Sequence, residues 1–174
     1  EGCFMNASGG YFNTYASHLG CENTHNLNQG NISLGNVSLQ IRVESNLVYL
    51  NLTGPSNVWF GTAYNATQMA DLPYSIIVLG NGSVQEWKLD NHAMGHMLPP
   101  SIRLLRSQVI NGKRTAELVR DVDNSYFQFS GKLNIPILVA EGQSPNFGYH
   151  RSRGAKYMLL YSLAGNTCVC YSGS

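Results

Sequence analysis

The chain reads as all-β, an immunoglobulin-like antiparallel β-sandwich of about nine to ten strands. Three observations predict this. Short runs of alternating apolar and polar residues recur along most of the sequence, turn-forming residues bound each run, and no window sustains a helical apolar period. At 174 residues the chain can bury one sizeable core and stays below the length at which cores divide.

The first segment, Glu1 to Gly35, is rich in Asn, Gly, Ser and Tyr and has no sustained periodicity. It reads as loops and short extended pieces, an extension over 1–34 ahead of a sandwich over 35–174. Val37, Leu39, Ile41 and Val43 then alternate with polar residues, as do Val48, Leu50 and Leu52, with Glu44-Ser45-Asn46 as a hairpin connection between them. Val58 to Tyr64 forms a third strand. Tyr74 to Leu79 is uninterrupted and apolar, the pattern of a strand buried on both faces. Asn81-Gly82 turns the chain into Val84 to Leu89. Strands follow at Ile102 to Ile110 and Arg114 to Val122, joined by Asn111-Gly112, then near Phe127, at Ile137 to Ala140 and at Tyr157 to Ser162.

Charged residues make up only 12% of the chain, against roughly 25% in ordinary soluble proteins. Covalent glycan is the natural substitute for the missing surface charge. Asn-x-Ser/Thr triplets begin at Asn6, Asn31, Asn36, Asn51, Asn65 and Asn81, and none has Pro in the middle. Their density implies N-linked glycans and a secreted, extracellular protein. Asn36 and Asn51 fall on the polar side of their strands, as a glycosylated side chain requires.

The cysteines agree with that compartment, because Cys3, Cys21, Cys168 and Cys170 form an even set at the two chain ends. Four cysteines permit three pairings. Cys168 and Cys170, two apart in an extended segment, share a side and rarely bond each other, which favours pairing of the N-terminal with the C-terminal cysteines. A zinc site is the weaker reading, since the spacing lacks paired knuckles. No pattern at Glu1 resembles a signal peptide, so secretion implies a processed start. The longest apolar run is far too short to span a bilayer. A net charge of +1 without a basic stripe gives no support to nucleic-acid binding.

The chemistry-bearing motifs of most enzymes are missing: there is no nucleophile elbow, phosphate-cradling glycine loop or zinc-protease helix. No catalytic residue is therefore assigned and the chain is not read as an enzyme. Paired carboxylates for glycoside hydrolysis remain a minor possibility, with ten acidic residues in the chain. The densest cluster of metal-binding side chains is His92-Ala93-Met94-Gly95-His96-Met97. It suits copper by ligand type, but Gly95 and Pro99-Pro100 argue for a loop at a sandwich edge or a pocket wall. His18 and His25 lie in the Asn-rich extension and carry no role.

Several blocks together resemble the extracellular DOMON family over roughly Gly35 to Ser162. These are Val58-Trp59-Phe60-Gly61-Thr62-Ala63-Tyr64, Met69-Ala70-Asp71-Leu72, the apolar strand from Tyr74, Gly82-Ser83-Val84, and a long loop over Trp87 to Pro100. Ala140-Glu141-Gly142 and Tyr149-His150-Arg151-Ser152-Arg153-Gly154 follow in the family's order.

In the haem-binding branch of that family one Met and one His clamp a b-type haem, and the resemblance lays this pair on Met69 and His150. Thioether and imidazole on opposite sides of the iron leave no open position, which suits one-electron transfer to an extracellular redox partner. Arg151 and Arg153 have the charge and geometry to pair with haem propionates. Two alternatives stand beside this reading. One is a haemless sugar- or ligand-binding module that stacks its ligand on Trp59, Trp87 or nearby Tyr rings. The other is a self-associating structural subunit of an extracellular assembly, suggested by sequon density, low charge and ten Tyr residues.

Overall fold

A computed structural model describes residues 2–5, 11–14, 20–23, 28–160 and 168–171. The short N-terminal strands are β1 (Gly2–Met5), β2 (Tyr11–Thr14), β3 (Gly20–Asn23) and β4 (Asn28–Gln29). They lead into β5 (Asn31–Leu34), β6 (Val37–Glu44), β7 (Leu47–Pro55), β8 (Phe60–Tyr64) and β9 (Tyr74–Val78). Next come β10 (Val84–Asp90), β11 (Ala93–Leu98), β12 (Arg103–Ile110) and β13 (Lys113–Asp121). The chain closes with β14 (Asn134–Gly142), β15 (His150–Leu159) and β16 (Cys168–Tyr171).

The protein is a β-sandwich. A seven-stranded sheet in the order β11-β10-β9-β8-β14-β15-β4 faces a five-stranded sheet in the order β12-β13-β7-β6-β5. All pairings are antiparallel except that of the two-residue β4 with β15. Two further antiparallel pairs, β1 with β2 and β3 with β16, stand outside these sheets.

Alternation places one face of every central strand in a common core. Leu39, Leu50, Leu52 and Leu118 from the smaller sheet meet Phe60, Ile76, Ile137 and Met158 from the larger, all at most 1% exposed. Each such side chain contributes about 1.5–3 kcal/mol on burial. The hairpin turns are as the sequence requires: Asn111 and Gly112 take φ 50° and 75°, the paired left-handed geometry of a type I′ turn.

The chain crosses from the larger sheet to the smaller between β11 and β12, and a buried carboxylate fixes that crossing. Glu86 accepts hydrogen bonds from the Tyr74 hydroxyl at 2.6 Å, from the Ser101 hydroxyl at 2.6 Å and from the Ile102 N–H at 2.9 Å, and from the Ser101 N–H as well.

Four expectations need correction. No strand forms near Phe127: the side-chain oxygen of Asn124 accepts from the N–H of Tyr126 and Phe127, folding the segment into a turn, with one isolated bridge at Asp123 and Gln128. The stretch from His92 to Met97 is not a loop but part of the β10–β11 hairpin, with His92 at φ 55° in its turn and Gly95 at φ 82° within β11. The strand expected at Tyr157 begins seven residues earlier, at His150. Strands β4 and β5 belong to the two sheets although they precede Gly35, and Ile32 in β5 is 1% exposed.

Candidate functional site

The outward face of the seven-stranded sheet has the composition of an interior. Phe60, Tyr74, Ile76, Val78, Ile137 and Val139 point into the main core, so their neighbours Gly61, Ala63, Ser75, Ile77, Leu138 and Ala140 point away from it. A second apolar cluster forms on that outer side from Trp59, Ile77 and Leu79, with Trp87, Ala140 and Phe147 packed against them. Phe147 meets the Trp59 ring edge-on at 4.8 Å and the Trp87 ring at 5.0 Å, which anchors the segment between β14 and β15 over the sheet.

Beside this cluster lies a cavity of about 650 Å³, within the range of small-molecule and cofactor pockets. Small residues from four strands line it, Gly61 and Ala63, Ser75, Ala140, and Gly154 with Ala155, together with the larger Ile77 and Leu138. Gly61 is required by close packing, since a Cβ there would meet the Ile76 carbonyl oxygen at 2.6 Å. The walls come from three separate segments: Thr67 to Ala70, the β10–β11 hairpin with His92 and Met94, and Phe147 to His150.

Met69 lies on the wall from Thr67 to Ala70, in a single 3-10 turn, Met69–Asp71. Asp71 holds the turn in shape. Its carboxylate accepts from the N–H of Thr67 at 2.9 Å and of Gln68 at 3.2 Å, and these bonds, the Thr67 one foremost, hold its pKa below the usual carboxylate value. Leu72, at φ 51°, closes the turn by donating its N–H to the Met69 carbonyl.

His150 lies on the same cavity, although it is 81 positions from Met69 in the chain. A β-bulge is responsible. Ala140 pairs with Arg153 and Glu141 with Ser152, but Gly142 pairs with His150, which leaves Arg151 as the extra residue. Without the bulge, alternation would set His150 and Arg153, three apart, on opposite faces. With it, both line the cavity. The His150 ring packs edge-on against Tyr149 at 4.7 Å, and its nitrogens accept no hydrogen bond from the described residues and donate none to them.

Arg153 is exposed and makes no ion pair among the described residues, and no carboxylate lines the cavity with it. The site therefore favours an anionic edge on whatever it holds. Arg151 departs from the expectation. It is absent from the cavity wall and instead donates to Glu141 at 3.0 Å, because the bulge turns it toward the β14 carboxylate. Met69 and His150 line the cavity from two separate segments, the 3-10 turn that follows β8 and the first residue of β15. His92 and Met94 also line it, a contribution signalled only by their density in the sequence, whereas His96 pairs with Lys88 away from the cavity.

Met69, His150 and Arg153 line one cavity with the small residues Gly61, Ala63, Ser75 and Ala140 and the larger Ile77 and Leu138. A thioether, an imidazole and a guanidinium are the side-chain types that would hold a b-type haem and its propionates. No group of three or more His, Cys, Asp or Glu suited to a metal ion occurs among the described residues. The asparagines of five sequons, Asn31, Asn36, Asn51, Asn65 and Asn81, are exposed, while Asn6 lies outside the described residues, as do His18 and His25. No side chain is described for the four cysteines, but the β3–β16 register sets the backbone of Cys21 opposite that of Cys170. Among the described residues no helix is long and apolar enough to cross a membrane. Neither a protein-family model nor a curated protein matches the chain.

Proposed function

We propose that the chain is a secreted, N-glycosylated b-type cytochrome domain that carries single electrons, with haem b held between Met69 and His150. The observation that supports this most is that these two residues, far apart in the chain, line one cavity. When bound between a thioether and an imidazole, the group supplies one-electron exchange without an open position for dioxygen. The chain's own part is to hold that environment. The 3-10 turn presents the Met69 sulfur, the β15 bulge presents the His150 ring, and Arg153 offers its guanidinium to a propionate. Trp59, Phe147 and Ile77 keep water from one side of the cavity. Exposed sequons and two disulfides joining the chain ends belong to the same extracellular reading, in which an extracellular redox partner takes or gives the electron.

Titration of the purified protein with haem tests the proposal. Wild type develops the sharp Soret and α bands of low-spin six-coordinate iron. His150→Ala abolishes them, and Met69→Leu gives a five-coordinate spectrum that responds to added cyanide or carbon monoxide. Absence of any Soret band in the titrated wild type would remove the cytochrome reading. The aromatic-walled cavity would then favour a haemless module for a planar or sugar ligand.

A further inference from the structure

Two thioethers and an imidazole line the cavity where the 3-10 turn Met69–Asp71 meets the β10–β11 hairpin. The chain leaves that turn through Leu72 and Pro73, and the Pro73 carbonyl accepts from the Leu89 N–H at 3.0 Å, which sets the turn against the end of β10. The hairpin begins there. His92 stands in its turn and Met94 follows two residues on in β11, and both line the cavity together with Met69. His96 and Met97, the other half of the same dense run, pair with Lys88 and Trp87 and do not line it.

These donors are free. The His92 ring makes no hydrogen bond, ion pair or ring contact among the described residues, and Met94 is 49% exposed. The carboxylates nearest in the chain are held in their own turns: Asp71 accepts from the Thr67 and Gln68 N–H groups, and Asp90 from the Asn91 N–H at 2.7 Å. What faces the cavity here is therefore a soft, uncharged set of two sulfurs and one nitrogen, with no carboxylate beside it. Thioether ligands select monovalent copper, whereas metals that favour oxygen ligands find none of their carboxylates here. We infer that Met69, His92 and Met94 form a three-coordinate site for Cu(I) in the haem-free chain. The site goes beyond the haem reading and does not rest on it; since Met69 is common to both, copper and haem exclude each other at that residue.

The test uses the haem-free, glycosylated full chain with any free thiol alkylated, titrated anaerobically with Cu(I) in ascorbate against the chromogenic chelator bicinchoninate. Wild type should withdraw a single equivalent of copper from the chelator, and X-ray absorption of the loaded protein should show sulfur and nitrogen neighbours. Met69→Leu, His92→Ala and Met94→Leu should each lose that competition, whereas His96→Ala and Met97→Leu should compete like wild type. His92→Met returns a soft donor to the site and should recover binding, which a purely structural defect would not. Circular dichroism checks that each variant is folded. A wild type that withdraws no copper, a Met69→Leu variant that competes unimpaired, or His96→Ala and Met97→Leu variants that fail as badly as the cavity variants would each overturn the assignment. Haem is absent throughout, so the outcome of a haem titration leaves these results unchanged.

Discussion

Arg151 donates from Nε to Oε1 of Glu141 at 3.0 Å, across the point where β14 and β15 slip register by one residue. Glu141 is 6% exposed, and its other partner is the Asn36 side chain, which donates to the same oxygen at 3.2 Å. The pair therefore fastens the bulge that turns His150 onto the cavity.

Arg151→Ala should cost about 1–2 kcal/mol in urea unfolding, because it leaves the Glu141 carboxylate buried with Asn36 alone, while the half-exposed guanidinium is partly replaced by water. Since His150 is then free to swing, haem affinity should also fall, by roughly the 10–100-fold typical of groups that orient a metal ligand. Arg153→Ala separates the two effects. It should move stability by less than about 0.5 kcal/mol, as an exposed residue does, yet weaken haem binding.

Acid stability should depend on Glu86. Burial would raise its pKa, but the Ser101 and Tyr74 hydroxyls and the N–H groups of Ser101 and Ile102 outweigh burial and hold it below the ordinary value. A carboxylate depressed in the folded state lends stability that is fully present above its unfolded pKa of about 4.3 and lost as pH falls through the folded value. Glu86→Gln should cost about 2–4 kcal/mol near neutral pH and flatten the acid limb. Urea midpoints from neutral pH down to about pH 2 give both slopes. An unchanged limb in the variant would contradict this role.

A larger side chain among the small lining residues should close the cavity without harming the fold. Ala140 is half-buried on the outer face of β14, so Ala140→Leu projects into the cavity and not into the main core. Loss of haem uptake with an unfolding midpoint within about 1 kcal/mol of wild type is the expected result. His92→Ala, on the facing hairpin, should leave the low-spin spectrum intact. A shift to high spin would instead make His92 the ligand.

Peptide mapping of the protein expressed through a secretory pathway should find glycan at most of Asn31, Asn36, Asn51, Asn65 and Asn81, all of which face outward. Asn36 is the most informative, since its Nδ2 must bear the sugar and still donate its remaining hydrogen to Glu141. Non-reducing maps should show each N-terminal cysteine joined to a C-terminal one. The backbone register favours Cys21 with Cys170, and four free thiols would refute the pairing.

Alternation and turn chemistry are local properties, and they carried most of the strand pattern. The hairpins at Ser45-Asn46 and Asn111-Gly112, the doubly buried β9 and the outward facing of Asn36 and Asn51 were all legible from neighbours within a few residues. The apolar run at β9 even announced that the larger sheet is covered on both faces. Where local cues competed, they misled: Asn124 captured the chain into a turn near Phe127, and Gly95 was accommodated within a strand despite its positive φ.

The sequence by itself determined the sandwich and the exposed sequons, because periodicity and turn residues are written one residue at a time, while the two candidate ligands rested on the resemblance of several blocks to a known family. Only the tertiary structure decided that the cavity lies on the outer face of the seven-stranded sheet, that His92 and Met94 share it, and that Arg153 lines it while Arg151 does not. Those facts depend on strand order and on a register slip of a single residue between β14 and β15. Register is set by the partner strand and its packing, so no reading of one strand alone reveals that His150 and Arg153, three positions apart, face the same way.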